Sequence, residues 1–308
     1  MLKFLKIILA AVIVLAIFAG WLFGYDEPRV RAVKSHNGCP GCDLRATGLW
    51  WTKLTGADLR GADLRGATLW WTELRDADLR EANFARANLW WTDLRGAKMR
   101  DANMDNTSLG RADLRTVVGP GMQFKMADLS GTNLSGGSFP GASFYRAHML
   151  QAIILKTDLR GADMSEANLH GVDMSGTNLA GAKLVGTSLT STILVEADLS
   201  GANMQTARLA DAKLLGANLR GADLRKADLP VTNLIGADLR GANLDGANIT
   251  LANLTGANLT GANLTDVSLD AADLTDADLT NAIMVRTTMD KAKLCRTKLP
   301  TGVDSSGC

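Results

Sequence analysis

Residues 49–64 read LWWTKLTGADLRGADL, residues 69–84 LWWTELRDADLREANF and residues 89–104 LWWTDLRGAKMRDANM. In each stretch a large apolar residue returns at every fifth position, and a small one stands two places before it. Followed outward, the frame runs unbroken from Leu44 to Leu299, and every such position is Leu, Met, Phe or Ile save Gly119. A spacing of five is neither the period of about 3.6 of an α-helix nor that of about 2 of a flat strand. A strict internal repeat sets the architecture before any other residue is considered.

If each unit turns the chain by a quarter circle, four units close a square coil of 20 residues. Coils then stack at the inter-strand distance of about 4.8 Å and pair through their backbones. The large residue and the small one, mostly Ala or Thr, both point into a tube with room for one of each per wall, because interiors are close-packed. The remaining three positions face solvent or turn the corner, and carry Asp or Asn, then Arg, Ser or Thr, then Gly.

The unit is thus A(D/N)LxG, as in Ala57-Asp58-Leu59-Arg60-Gly61 and Ala237-Asp238-Leu239-Arg240-Gly241. It resembles the pentapeptide-repeat family over most of the chain. That resemblance implies an all-β fold, a right-handed quadrilateral parallel β-helix; its handedness rests on the resemblance. About 13 coils of four pentapeptides give a rod roughly 60 Å long.

Four segments are expected. Residues 1–24 read as a membrane anchor or signal-anchor helix, 25–38 as a polar linker, 39–299 as the β-helix and 300–308 as a C-terminal tail. The anchor rests on the apolar run at residues 7–23, preceded by Lys3 and Lys6, which is short but adequate for one transmembrane helix. It implies a single-pass protein of a bacterial inner membrane with a periplasmic rod. The competing reading is a cleaved signal peptide and a secreted or soluble periplasmic protein. Within the rod, residues 116–122 contain Gly119-Pro120-Gly121 and are expected to be irregular, since Pro lacks a ladder donor. The tail reads as too short and polar to cap the last coil. The resulting bare edge suggests association of two copies through the C-terminal coil.

The net charge of +1 excludes a generic nucleic-acid binder, so no nucleic acid is expected as a partner. Charge is unevenly spread. Residues 241–290 are rich in Asp, Lys291 to Lys298 are basic, and Arg dominates the outward positions before residue 116. Arg60, Arg80 and Arg100 share one wall with Asp58 and Asp78, which reads as a self-neutralising surface, with anion binding as the alternative. Phe84, Phe124 and Phe144 fall at inward positions and read as core.

The clearest outward feature is Trp50, Trp51, Trp70, Trp71, Trp90 and Trp91, recurring once per coil. Stacking between coils, docking of a protein partner or a second copy, contact with a lipid interface and glycan stacking are the readings open for it. Cys39 with Cys42, and Cys295 with Cys308, lie at opposite ends of the rod. A structural bridge within each pair is favoured over free thiols or a redox or metal role. The Cys-x-x-Cys-Asp-Leu entry resembles that of other family members, which implies capping. The three histidines sit in no nucleophile or metal motif, and a solid rod has no cleft. The expectation is therefore a non-enzymatic, cofactor-free, membrane-anchored scaffold for protein–protein contact. The alternative is a DNA mimic acting on a type II topoisomerase, as quinolone-resistance members of the family do.

Overall fold

The computed structural model describes residues 28–308. It opens with helix α1, Pro28–His36. Pro28 stands at the first helical position, where a missing N–H costs nothing, and Lys34 and His36 lie in the last turn, where positive charge suits the helix dipole. Val30 and Val33, three residues apart on one face, are buried against the mouth of the tube. Asn37 takes a left-handed conformation, φ 48°, and the Gly38 amide returns to the Val33 carbonyl at 3.0 Å, which stops the helix. Gly38 then enters the ladder beside Asp58, so close that a Cβ there would lie 2.3 Å from the Asp58 carbonyl oxygen.

The described part of 25–38 is therefore a cap and not a polar linker. Its charges obscured a two-valine face. The inner-membrane location is also corrected: among the described residues no helix is long and apolar enough to cross a membrane. The residue 7–23 run and the 1–24 anchor on which that location rested lie outside the described residues.

From Gly38↔Asp58 to Asp278↔Lys298 the chain pairs with itself in parallel at a constant offset of 20 residues, with four bridges in each 20. The hydrogen-bond pattern explains the unit. Leu59 donates up to the Asp78 carbonyl at 2.9 Å, Asp78 donates down to Ala57 at 2.9 Å, and Gly61 donates up to Arg80 at 2.8 Å. Ala62 closes a four-residue turn on the Leu59 carbonyl at 3.1 Å. Every fifth residue from Gly41 to Arg296 turns that corner with positive φ, which is why Gly recurs there. Leu and Ala at the inward positions are almost wholly buried. Where Thr replaces Ala its hydroxyl donates to a backbone carbonyl, as Thr72 does to Leu49 in the coil below at 2.8 Å, so the buried oxygen stays satisfied.

One amide per unit takes no part in the ladder: that of the residue after Leu. The preceding Asx side chain commonly accepts from it, as Asp58 Oδ1 does from Arg60 at 3.3 Å. Pro40, Pro120, Pro140, Pro230 and Pro300 all occupy this position. Residues 116–122 are consequently regular, against expectation. Val118 bridges both Lys98 and Ser138, and Gly119 donates to Ser138 at 2.8 Å. The place left empty by Gly119 is filled by Met122 and by Phe139 of the next coil.

Core aromatics stack along the axis. Phe124 and Phe144 lie 4.7 Å apart at 8°, with Phe139 edge-on to both. At the far end β1, Thr297–Leu299, pairs antiparallel with β2, Gly302–Asp304. Gly307 donates to the Leu294 carbonyl at 2.8 Å. The tail thus folds back over the last coil, whose edge is partly covered and not bare.

Candidate interaction surface

The six tryptophans occupy two adjacent corner rows with different geometries. Trp51, Trp71 and Trp91 stack ring on ring, at 5.3 Å and 7° and then at 4.9 Å and 3°. Each holds the left-handed corner, with φ of 55° to 59°. That conformation disfavours side chains with a Cβ, but it is not peculiar to the tryptophans, since Ala46, Asp76 and Glu81 hold it at other corners. Arg111, the next residue in the row, places its guanidinium carbon 5.0 Å above the Trp91 ring and closes the stack with a cation–π contact. Trp50, Trp70 and Trp90 form no such stack. Trp90 lies over Gly110, where a Cβ would come within 3.1 Å of the indole. The Trp70 Nε1 is buried without a hydrogen-bond partner. Trp51 is 59% exposed, Trp90 43% and Trp71 38%, so the ladder offers ring edges and one flat face to solvent.

The structure extends this surface beyond the tryptophans. In the two corner rows, on the wall beside them and in the next corner row stand Leu150, Ile153, Leu155, Ile193, Val195, Leu215, Val231, Ile235 and Leu251. The other outward rows of the rod hold only Val118, Met126, Tyr145, Val185, Ile283 and Val285 as large apolar residues. The same wall is charged beside the tryptophans, with Glu73, Asp93, Asp113, Arg75, Arg95 and Arg115, carries Gly131, Asn133 and Ser135 next, and becomes partly aliphatic beyond them. The sequence held this signal at the 20-residue spacing, but the aliphatic half lacks the repeated WW pair that made the first half conspicuous.

The surface neutralises itself, on the wall beside the tryptophans as well as away from it. Arg60 pairs with Asp58 at 2.6 Å and with Asp78 of the next coil at 3.9 Å. Arg95 joins Asp93 at 2.7 Å to Asp113 at 3.4 Å. Hydrogen bonds from Arg60 and Arg80 hold the Asp58 and Asp78 carboxyls below the usual carboxylate range. A shallow recess of about 470 Å³ is lined by Arg60, Gly61, Arg80, Glu81 and Arg100. The acidic band is matched by the basic one a coil later. Asp266 meets Arg286, Asp273 meets Lys293 at 3.3 Å, Asp276 meets Arg296 at 2.6 Å and Asp278 meets Lys298 at 3.1 Å.

Cys39 and Cys42 form a disulfide across the first corner. They occupy a large inward and a small inward position and pack on the end of the core. Cys295 and Cys308 form the second, tying the tail to the last coil. Among the described residues no cluster of His, Cys, Asp or Glu is arranged to hold a metal ion.

The model of the pentapeptide repeats matches in eight copies, covering segments from residue 42 to residue 299. The chain belongs to the pentapeptide-repeat family, whose members form right-handed β-helices. Among solved structures it is similar to HetL, a pentapeptide repeat protein involved in heterocyst differentiation regulation from the cyanobacterium Nostoc sp. strain PCC 7120. Identity is 26% over 85% of this chain and 91% of that one, with a TM-score of 0.46. It is also similar to QnrB1, a plasmid-mediated fluoroquinolone resistance protein, at 21% identity over 62% of this chain and 86% of that one, TM-score 0.37. A third is AT2G44920, a pentapeptide repeat protein of the Arabidopsis thaliana thylakoid lumen, at 32% identity over 37% and 72%, TM-score 0.26. No curated relative matches the chain.

Proposed function

We propose that this chain is a non-enzymatic rod, a quadrilateral β-helix of about 13 coils, that serves as a scaffold for protein–protein contact through its tryptophan wall. The observation that carries this reading is the stack Trp51–Trp71–Trp91 with exposed Trp90 beside it. Large aromatic rings held rigid on a flat face are characteristic anchors of protein interfaces. A DNA mimic would need rows of carboxylates free to imitate a phosphate backbone. In the acidic band, Asp266, Asp273, Asp276 and Asp278 are instead paired with cations one coil away.

Photo-crosslinking in cells tests the proposal. A photoreactive residue placed at Trp90 is expected to give a discrete protein adduct, and the same residue at Arg240, on another face, to give none. The adduct should disappear when Trp51 and Trp71 are changed to Thr. No adduct at Trp90, or the same adducts from both faces, would remove the ladder as a contact surface.

A further inference from the structure

The two disulfides differ in what stands beside the sulfur. Arg296 turns the corner one residue after Cys295, with φ 54°. Its Nε and Nη2 donate to the two carboxylate oxygens of Asp276, one coil below, at 2.6 Å each. That fork fixes the guanidinium plane and leaves Nη1 to donate to the Cys295 sulfur at 3.5 Å. Cys295 is 6% exposed, whereas Cys308 is open to solvent. Among the described residues neither Cys39 nor Cys42 takes a hydrogen bond at sulfur, and both are half-buried against the core.

We propose that Cys295–Cys308 is a thiol-exchange site, at which Cys308 takes up a small thiol and Cys295 is the leaving sulfur. The incoming thiolate attacks the exposed Cys308 sulfur. Its electron pair forms the new S–S bond, the old bond breaks, and that bond's electrons leave on Cys295 as a thiolate. One disulfide replaces another, so the step needs no oxidant or reductant. Exchange is fastest where the attacked sulfur is accessible and the leaving thiol has a low pKa, and a neighbouring guanidinium lowers a thiol's pKa. Asp276 offsets part of the Arg296 charge, but the N–H it aims at Cys295 becomes a charge-assisted donor once the thiolate forms. The same contact slows the return attack, because a stabilised thiolate is a weaker nucleophile. Opening frees the link that holds the β1–β2 hairpin and the Gly307 contact to Leu294 over the last coil. Cover of that edge is thereby tied to the thiols around the protein. The site is independent of the tryptophan ladder, which stands at the other end of the rod.

The full-length protein, incubated with reduced glutathione, alkylated with iodoacetamide and mapped by peptide mass, tests the site. Glutathione is expected on Cys308 and the alkyl group on Cys295, with Cys39–Cys42 intact. Arg296→Gln should slow the opening several-fold. If Arg296 only fastened the tail, its loss would speed the opening by exposing the bridge, so the sign separates the two roles. Arg286→Gln cuts the equivalent pair with Asp266, touches no cysteine sulfur, and should leave the rate unchanged. Glutathione on Cys295, equal opening of Cys39–Cys42, an unchanged or faster rate in Arg296→Gln, or equal slowing in Arg286→Gln would each overturn the proposal. So would inertness to glutathione, even if a reduced thioredoxin opened the bridge.

Discussion

Phe139 fills the space that Gly119 leaves open one coil below. A Cβ on Gly119 would lie 3.5 Å from the Phe139 ring and 2.2 Å from the Met122 sulfur, so the missing leucine is replaced from two sides. Gly137 completes the exchange, since a Cβ there would press within 2.6 Å of the same ring. Restoring the repeat at this place should therefore harm the protein. Gly119→Leu is expected to destabilise it by about 1–3 kcal/mol through overpacking, and Phe139→Ala by about 3–5 kcal/mol through the cavity. The double variant Gly119→Leu/Phe139→Leu should recover part of the loss. Urea midpoints measure all three, and additive losses in the double variant would refute the compensation.

Proline tolerance should follow the hydrogen-bond ladder. Ser200 occupies the position whose amide the ladder does not use, whereas Asn203 donates to the Ala182 carbonyl at 2.9 Å. Ser200→Pro should shift the melting temperature little. Asn203→Pro should cost about 3 kcal/mol or more. Comparable losses from the two would show that the corner amide matters after all.

Coupling in the tryptophan stack should be strictly between neighbours. Double-mutant cycles to Ala are expected to give about 0.5–1.5 kcal/mol for Trp51 with Trp71 and for Trp71 with Trp91. The cycle of Trp51 with Trp91 should give a value near zero. A large coupling across the gap would mean that the coils rearrange when the stack is cut.

Acid should weaken the last coils. Hydrogen bonds from Arg286 and Arg296 hold the Asp266 and Asp276 carboxyls below their ordinary value. A carboxyl lowered in the folded state contributes stability that is complete above its unfolded pKa, about 4. That stability is lost as the pH falls through the lower folded value. Amide exchange at Asp266 and Asp276, which donate to the Val285 and Cys295 carbonyls at 2.9 and 2.8 Å, should accelerate below about pH 4, more steeply than at Leu194. The difference should shrink in Arg286→Gln/Arg296→Gln and in high salt, because these pairs are exposed. An identical pH profile in the variant would exclude the pairs as its cause.

Cutting the terminal bridge should loosen the tail and spare the rod. A bridge closing 13 residues stabilises by about 3 kcal/mol in the chain-entropy account. In Cys308→Ser the Gly307 amide should exchange faster, while that of Leu234 stays protected. Global loss of protection would make the bridge essential to the whole fold.

The tube was legible because its inward residues obey one count: Leu44 through Leu299 name their own positions. What the count could not show was anything that breaks or crosses it. Val30 and Val33 lie outside the repeat, and their helical spacing is short enough to be hidden by Arg29, Arg31 and Lys34. Gly119 and Pro120 look like a fault in one dimension; only the stacking of coils shows that Phe139 and Met122 repair it. The acidic stretch is a feature in its own right along the chain, whereas the 20-residue offset pairs Asp276 with Arg296. For the candidate surface, the doubled Trp recurs as an unmistakable word once per 20 residues. The aliphatic half of the same surface has no such mark, because Val231 and Leu251 are ordinary residues that acquire meaning only by position.

The unused amide after each leucine has a wider consequence. Tube and exterior are specified by different atoms: ladder bonds and inward side chains fix the first, and the residue that follows Leu writes only on the second. Such a chain resembles a typeset page, in which the frame holds its dimensions while the letters are exchanged freely. A designer could re-letter one wall for a new partner, proline included, and leave the frame standing.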